Sequence, residues 1–160
     1  MAQDLLRICS EPVDINEAYA ALLDPRFGAQ LVFTGTVRNE NDGRPVEAVS
    51  YEAFVEMALA VFSELAAEVR TRCPAELGIV LIHRTGRLLV SEISTVVGVA
   101  GPHRAETYEA SRYLIEQVKQ RLPVWKEEHY TDGKSTWLDG AQIPCGGDSS
   151  RGAVIPHGQK

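Results

Sequence analysis

The sequence predicts an α+β fold of mixed, mostly antiparallel sheets with two long helices. Two observations carry this expectation. Strand-like and helix-like segments follow in the order β-α-β-β-α-β-β-α-β, and short polar turns join several strands as hairpins, unlike the crossovers of a doubly wound sheet. Long helical periodicity occurs in two places, residues 55–72 and 102–122.

Taken in order, residues 5–9 read as a short first strand. Asp14 followed by Glu17 is a capping-box-like start, with Asp in place of Ser or Thr, for a helix to about Leu23, and Asp24-Pro25 ends it. Residues 29–38 read as a strand with Gly35 inside it, and such a glycine marks a bulge or a close approach by a ligand or another backbone. Asn39 to Pro45 is a polar turn or loop, and 46–53 the returning strand. Over 55–72, Met57, Val61, Leu65 and Val69 recur at steps of four, with Ala58, Phe62 and Ala66 beside them, until Cys73-Pro74 stops the helix. Residues 77–83 form a strand, Arg84-Thr85-Gly86-Arg87 a turn, and 88–100 one or two further strands. His83-Arg84, at a strand end, suits a solvated or structural role.

The apolar run Thr95 to Ala100 stops at Gly101, and Pro102 suits the first turn of the next helix. His103 and Arg104 share that turn, where the helix dipole disfavours cations and favours an anion such as phosphate. Tyr108, Ser111, Ile115, Val118 and Leu122 mark the core-facing stripe, and Pro123 ends the helix. Lys119 falls at the edge of that stripe between Ile115 and Leu122. It either snorkels outward along its stem or sits in a cleft with a lowered pKa. Lys126 follows past the proline. Residues 124–130 read as an edge strand, and Asp132-Gly133 as a turn leading to Trp137. Residues 1–139 are thus expected to form a single domain, and the Gly/Pro-rich segment 140–160 an extended, partly mobile tail.

Composition narrows the function. The chain has 160 residues, 44% hydrophobic and 24% charged, enough for one soluble domain with a full core. A net charge of −6 argues against a general nucleic-acid binder. No apolar run approaches the ~20 residues of a membrane span. The N-terminal stretch lacks a signal-peptide pattern, so a cytoplasmic location is expected. Cys9, Cys73 and Cys145 are far apart and the four histidines scattered, so neither a disulfide framework nor a metal site is expected. The Gly98-x-x-Gly101 turn has neither the Walker Lys-Ser/Thr nor a full dinucleotide fingerprint, and no Ser or Cys sits in a recognisable nucleophile motif. No cofactor is expected.

What is left is a cationic constellation: Arg38, His103, Arg104, Lys119 and Lys126. Arginine grips phosphate or carboxylate in a bidentate way, and a partly desolvated lysine can act as base, acid or nucleophile. This points to a small anionic substrate, phosphorylated, and lysine-centred chemistry. Arg104 and Lys119 lie roughly 22 Å apart along one helix at about 1.5 Å per residue, too far for one small metabolite. Either they serve different ligands, or a symmetric dimer brings Arg104 of one copy near Lys119 of the other.

These residues resemble the large, catalytic subunit of molybdopterin synthase. The matching pieces are Phe33-Thr34-Gly35-Thr36-Val37-Arg38, Tyr51-Glu52 with Met57-Ala58, His83-Arg84-Thr85-Gly86, His103-Arg104, and Lys119 before Pro123-Val124-Trp125-Lys126-Glu127-Glu128. They occur in family order over roughly residues 28–137. The resemblance implies an α/β-hammerhead-like fold and a homodimer in which each copy binds a small ubiquitin-like sulfur carrier, giving a heterotetramer. The carrier's C-terminal Gly-Gly thiocarboxylate would enter the pocket and donate sulfur to cyclic pyranopterin monophosphate, forming the dithiolene of molybdopterin for molybdenum cofactor biosynthesis. By position, Lys119 and Lys126 match the catalytic lysines, and Arg38, His103 and Arg104 the substrate-binding residues. Thr36 and Val37 would line the same strand end, and Glu127 and Glu128 would follow the second lysine into the site. One departure stands out. The family carries a basic segment with an arginine after the tryptophan matching Trp137, where this chain has Leu138-Asp139-Gly140-Ala141; either Lys134 or Arg151 replaces it, or the contact is absent. A non-catalytic adaptor for a ubiquitin-like tail is the alternative, and an unrelated phosphate-ester hydrolase a weaker one. Sulfur turnover separates the first two.

Overall fold

In a computed structural model, which describes residues 4–138, two sheets and three helices are built from β1 (Leu5–Cys9), α1 (Ile15–Ala21), β2 (Ala29–Thr36), β3 (Glu40–Asn41), β4 (Arg44–Ala53), α2 (Val55–Arg72), β5 (Gly78–Arg84), β6 (Gly86–Leu89), β7 (Ile93–Gly101), α3 (Arg104–Arg121), β8 (Val124–Tyr130) and β9 (Ser135–Leu138). The expected 140–160 tail lies outside the described residues, as do Cys145 and Arg151.

The first sheet has the order β1-β5-β7-β2 and the second the order β3-β4-β8-β9, with β6 also on β4. Only β1 and β5 pair in parallel; the other pairings are antiparallel. The α+β expectation holds. β5 is buried along its whole length, because both faces of the first sheet are covered and alternate side chains enter different cores. Ile79 and Leu81 join Phe62, Leu65 and Val69 of α2 and Leu114 and Val118 of α3 in the main core. Val80 and Ile82 meet Ala18 of α1 and Leu22, its C-cap, on the other face. Gly98 permits that second packing, since a Cβ there would stand 3.0 Å from Leu22 Cδ1 and 3.1 Å from Val80 Cβ.

Several local details differ from the sequence reading. Asp14 does cap α1, accepting from Asn16 N–H at 2.9 Å, but Glu17 turns away from the capping box to grip Arg7 at 2.9 and 2.7 Å. α3 starts at Arg104, so Pro102 and His103 precede its first turn, with His103 as an extended N-cap whose side chain makes no capping bond. Its buried stripe is Thr107, Ala110, Ser111, Leu114 and Val118, while Tyr108 is 63% exposed. Ser111, Val118 and Leu122 of the expected stripe are buried and Ile115 packs against the core, but Thr107 takes the inward place expected for Tyr108, and Ala110 and Leu114 widen the face where it meets the core residues of α2. β8 is no edge strand: β4 flanks it on one side and β9 on the other. The turn at Asp132-Gly133 that returns β9 was visible in sequence; its burying effect on β8 was not. Gly35 does sit at a bulge, where the β2–β7 register shifts before Thr36.

Candidate active site

Where the two sheets meet beneath the C-terminal half of α3, a cavity of about 490 Å³ opens. Its wall takes Phe33 and Gly35 from β2, Tyr51 from β4, His83 from β5, Ser94 and Thr95 from β7, Ile115, Val118 and Lys119 from α3 with Leu122, its C-cap, and Val124 and Lys126 from β8. Gly35 brings the β2 backbone close, since a Cβ would lie 3.1 Å from Thr95 Cγ2. Lys119 and Lys126, separated by a helix stop in sequence, therefore face one chamber. The cause is topological. Pro123 turns the chain from α3 straight into β8, and β8 pairs with β4 so that Lys126 lies opposite Tyr51.

A second, smaller cavity of about 60 Å³ adjoins the first, and Tyr51 and Lys126 line both. Thr36, Val37, Arg38, Glu40, Val49 and Glu128 complete it, so five of the expected site residues (Thr36, Val37, Arg38, Lys126 and Glu128) sit around it. Arg38 is exposed and makes one long hydrogen bond, Nη2 to Asn41 Oδ1 at 3.3 Å, which leaves most of its donors open to an anion.

Glu128 is 4% exposed and already engaged. Its Oε2 accepts from Asn41 Nδ2 and from Tyr130 OH, each at 3.0 Å, and its Oε1 lies 3.7 Å from Lys126 Nζ. It holds the lysine and the Arg38 loop in place. Glu127 departs from expectation. Strand alternation sends it to the opposite face from Lys126 and Glu128, where it accepts from Ser135 and stands near His129, and it lines none of these cavities. His103 and Arg104 are exposed at the far end of α3 and line neither chamber of this chain. Lys134, offered as a replacement cation, is exposed in the β8–β9 turn.

His83, for which the sequence suggests a solvated or structural role, is 8% exposed and forms part of the cavity wall. Burial lowers its pKa from 6.5 to about 4, against the opposing effect of its bond with the Arg84 carbonyl. That bond, 2.8 Å from Nδ1, puts the ring proton of the neutral form on Nδ1 and leaves Nε2 as an acceptor. Tyr51 packs edge-on against it at 5.2 Å. Burial pushes the Tyr51 phenol up, a hydrogen bond with Ser94 opposes this, and the charge of Glu128 adds to it. Sequence reasoning did not single out Phe33, Tyr51, Ser94 or Thr95 as site residues; the dipeptide His83-Arg84 at a strand end was the one available signal. Among the described residues no cluster of His, Cys, Asp and Glu is arranged to hold a metal.

The chemistry open to such a chamber is anionic. Two ammonium groups facing a largely apolar wall stabilise negative charge more strongly than they would in water, and a neutral imidazole beside them can accept a hydrogen bond. The MoaE protein family matches residues 8–121. The molybdopterin synthase catalytic subunit of a Nostoc species is 43% identical over 136 residues, covering 85% of this chain and 82% of the relative. The chain belongs to the MoaE protein family. Its fold agrees: the crystal structure of molybdopterin synthase from Staphylococcus aureus superposes with a TM-score of 0.80 at 32% identity, covering 84% of this chain and 96% of that one. A complex of subunits 1 and 2 of molybdopterin-converting factor from Helicobacter pylori shares the fold at a TM-score of 0.70 and 22% identity, over 87% of this chain and 93% of that one. The family resemblance read from the motifs is therefore met, and with it the enzyme class, molybdopterin synthase of molybdenum cofactor biosynthesis. Among the described residues no helix is long and apolar enough to cross a membrane.

Proposed function

We propose that residues 1–139 act as one catalytic unit that moves sulfur from the C-terminal thiocarboxylate of a small ubiquitin-like carrier to cyclic pyranopterin monophosphate, forming the molybdopterin dithiolene. The observation that carries this reading is the convergence of Lys119 and Lys126 on one cavity beside Arg38. A Gly-Gly tail has no side chains to obstruct its entry into this chamber. Lys119 shares its wall with Ile115, Val118 and Leu122, and would stabilise the oxyanion at the acyl carbon. Lys126 lines both chambers and would balance substrate charge or move a proton between them. Arg38 would hold phosphate.

The roles of His103 and Arg104 call for a second copy. β2 is an outer strand of its sheet, with Phe33 39% exposed and a groove of about 400 Å³ beside it lined by Leu31, Tyr108 and Ile115. Ala29 pairs with Gly101, so α3 begins at the Ala29 end of β2, while Gly35 and Lys119 lie at the other. Two β2 edges paired antiparallel about a two-fold axis would bring the Arg104 end of one copy to the Lys119 end of the other. One carrier on each copy would complete a heterotetramer. A cytoplasmic setting fits the free thiols Cys9 and Cys73.

Reconstitution with thiocarboxylated carrier and cyclic pyranopterin monophosphate is the test. Wild-type protein should form the dithiolene, and Lys119→Ala should lose on the order of 10²-fold or more in rate while still binding carrier. Wild-type protein that binds carrier and transfers no sulfur would make it an adaptor.

A further inference from the structure

We infer that Arg84 is a positioning residue for substrate binding, acting through Glu92 to fix the Val37–Arg38 segment; this rests on the reading of Arg38 as a phosphate ligand. Arg84 is 8% exposed, and its guanidinium reaches two acceptors in different directions. Nη1 donates to Glu92 Oε1 at 2.9 Å, and Nε donates to the Ser10 carbonyl at 3.1 Å. Glu92 in turn works at both ends. Its Oε2 accepts from the Leu89 N–H at 2.6 Å, which closes the turn between β6 and β7, and its carbonyl accepts from the Val37 N–H at 3.0 Å. Ser91 returns the bond, its N–H donating to the Val37 carbonyl at 2.8 Å. Val37 is thus clamped from both of its backbone polar groups by a turn that Arg84 anchors.

That turn is not self-supporting. Ser91 sits at φ 73°, a left-handed conformation that strains a residue with a side chain and persists where its surroundings over-determine it. The Leu89 N–H and the Arg84 guanidinium together hold the Glu92 carboxyl below its ordinary value, so the pair is charged at neutral pH. Arg38 needs such support. Its side-chain hydrogen bond to Asn41 is long, so what places Arg38 at the cavity is the clamped Val37 backbone, which fixes where its side chain starts and the direction in which it leaves the chain. Arg84 also ties this loop to the main chamber, because its own carbonyl accepts from His83 Nδ1 at 2.8 Å. Lysine cannot replace it fully, since an ammonium lacks the planar fork that serves Glu92 and Ser10 at once.

The test uses the full chain assembled with its carrier and measures kcat, KM for cyclic pyranopterin monophosphate, and carrier Kd. Arg84→Met should raise KM about tenfold, the scale of one lost charge-assisted contact, with kcat and carrier Kd within about twofold. Arg84→Lys should recover part of the loss. Adding Arg38→Ala to Arg84→Met should cost less than Arg38→Ala alone, because the two act on one contact. Glu92→Gln keeps an acceptor for Leu89 and should raise KM in the same way, which preserves the test if Arg84→Met fails to fold. Unchanged KM in a folded variant, or a parallel loss of kcat, KM and carrier affinity, would overturn the inference. If wild-type protein turns nothing over, the proposed function has failed; calorimetric binding of the pyranopterin phosphate to wild type and Glu92→Gln then decides the Arg84 question, equal affinities refuting it.

Discussion

Lowering the pH from 7 to 5 should destabilise this protein through His83, well before its carboxylates protonate. The ring is buried, and its pKa falls from 6.5 in the unfolded chain to about 4 in the folded one. A depressed folded pKa means that the unfolded state binds the proton first. The stabilisation is therefore fully present above pH 6.5 and is lost as pH falls toward 4. Over the whole window the difference amounts to about 3 kcal/mol, and between pH 7 and pH 5 to ~2 kcal/mol, a sizeable share of a domain's usual stability. No carboxylate faces the ring from the cavity wall; Tyr51 meets it edge-on, and Lys119 and Lys126 line the same chamber and oppose its protonation. Denaturant midpoints at the two pH values, for wild type and His83→Asn, provide the assay. Asparagine offers an N–H toward the Arg84 carbonyl but does not titrate, and shared carboxylate effects cancel in the comparison. Wild type should lose ~2 kcal/mol more than the variant. Equal slopes would refute the account of a buried neutral imidazole.

Two further expectations concern the site's framework. Glu128→Ala removes the acceptor for Asn41 and Tyr130 and the partner of Lys126, and should cost about 3 kcal/mol in denaturant stability, with Glu128→Gln recovering part because it keeps one acceptor oxygen. Mixing Arg104→Ala and Lys119→Ala chains should restore about half of wild-type activity per heterodimer, since one of the two shared sites is then intact; failure to rescue would separate the α3 N-terminus from the sulfur-transfer site.

Legibility in the sequence followed the range of the physics. α2 was read to its last residue because apolar spacing and the Cys73-Pro74 stop are both local. The α3 stripe is legible at Ser111, Val118 and Leu122 but not at its first turn, since Tyr108 and Thr107 look equally plausible until α2 and the sheet choose between them. In sequence β8 reads as an edge strand because pairing with β4, more than seventy residues earlier, leaves no mark in its own composition. Glu127 and Glu128, neighbours in the motif, part company as soon as strand alternation is imposed.

The sequence alone determined most element types, the stops of the two long helices and the set of cations, it marked Gly35 as a bulge or a close approach, and its short motifs were enough to mark the family. Each depends on contacts within a few residues, where backbone sterics and side-chain spacing decide the outcome. Only the tertiary structure decided that Lys119 and Lys126 share a chamber, that His83 is buried and neutral, and that Arg84 and Glu92 clamp the strand end carrying Arg38. Those facts depend on the register of strands distant in sequence, where side chains that carry no local signal become neighbours through packing of the whole chain.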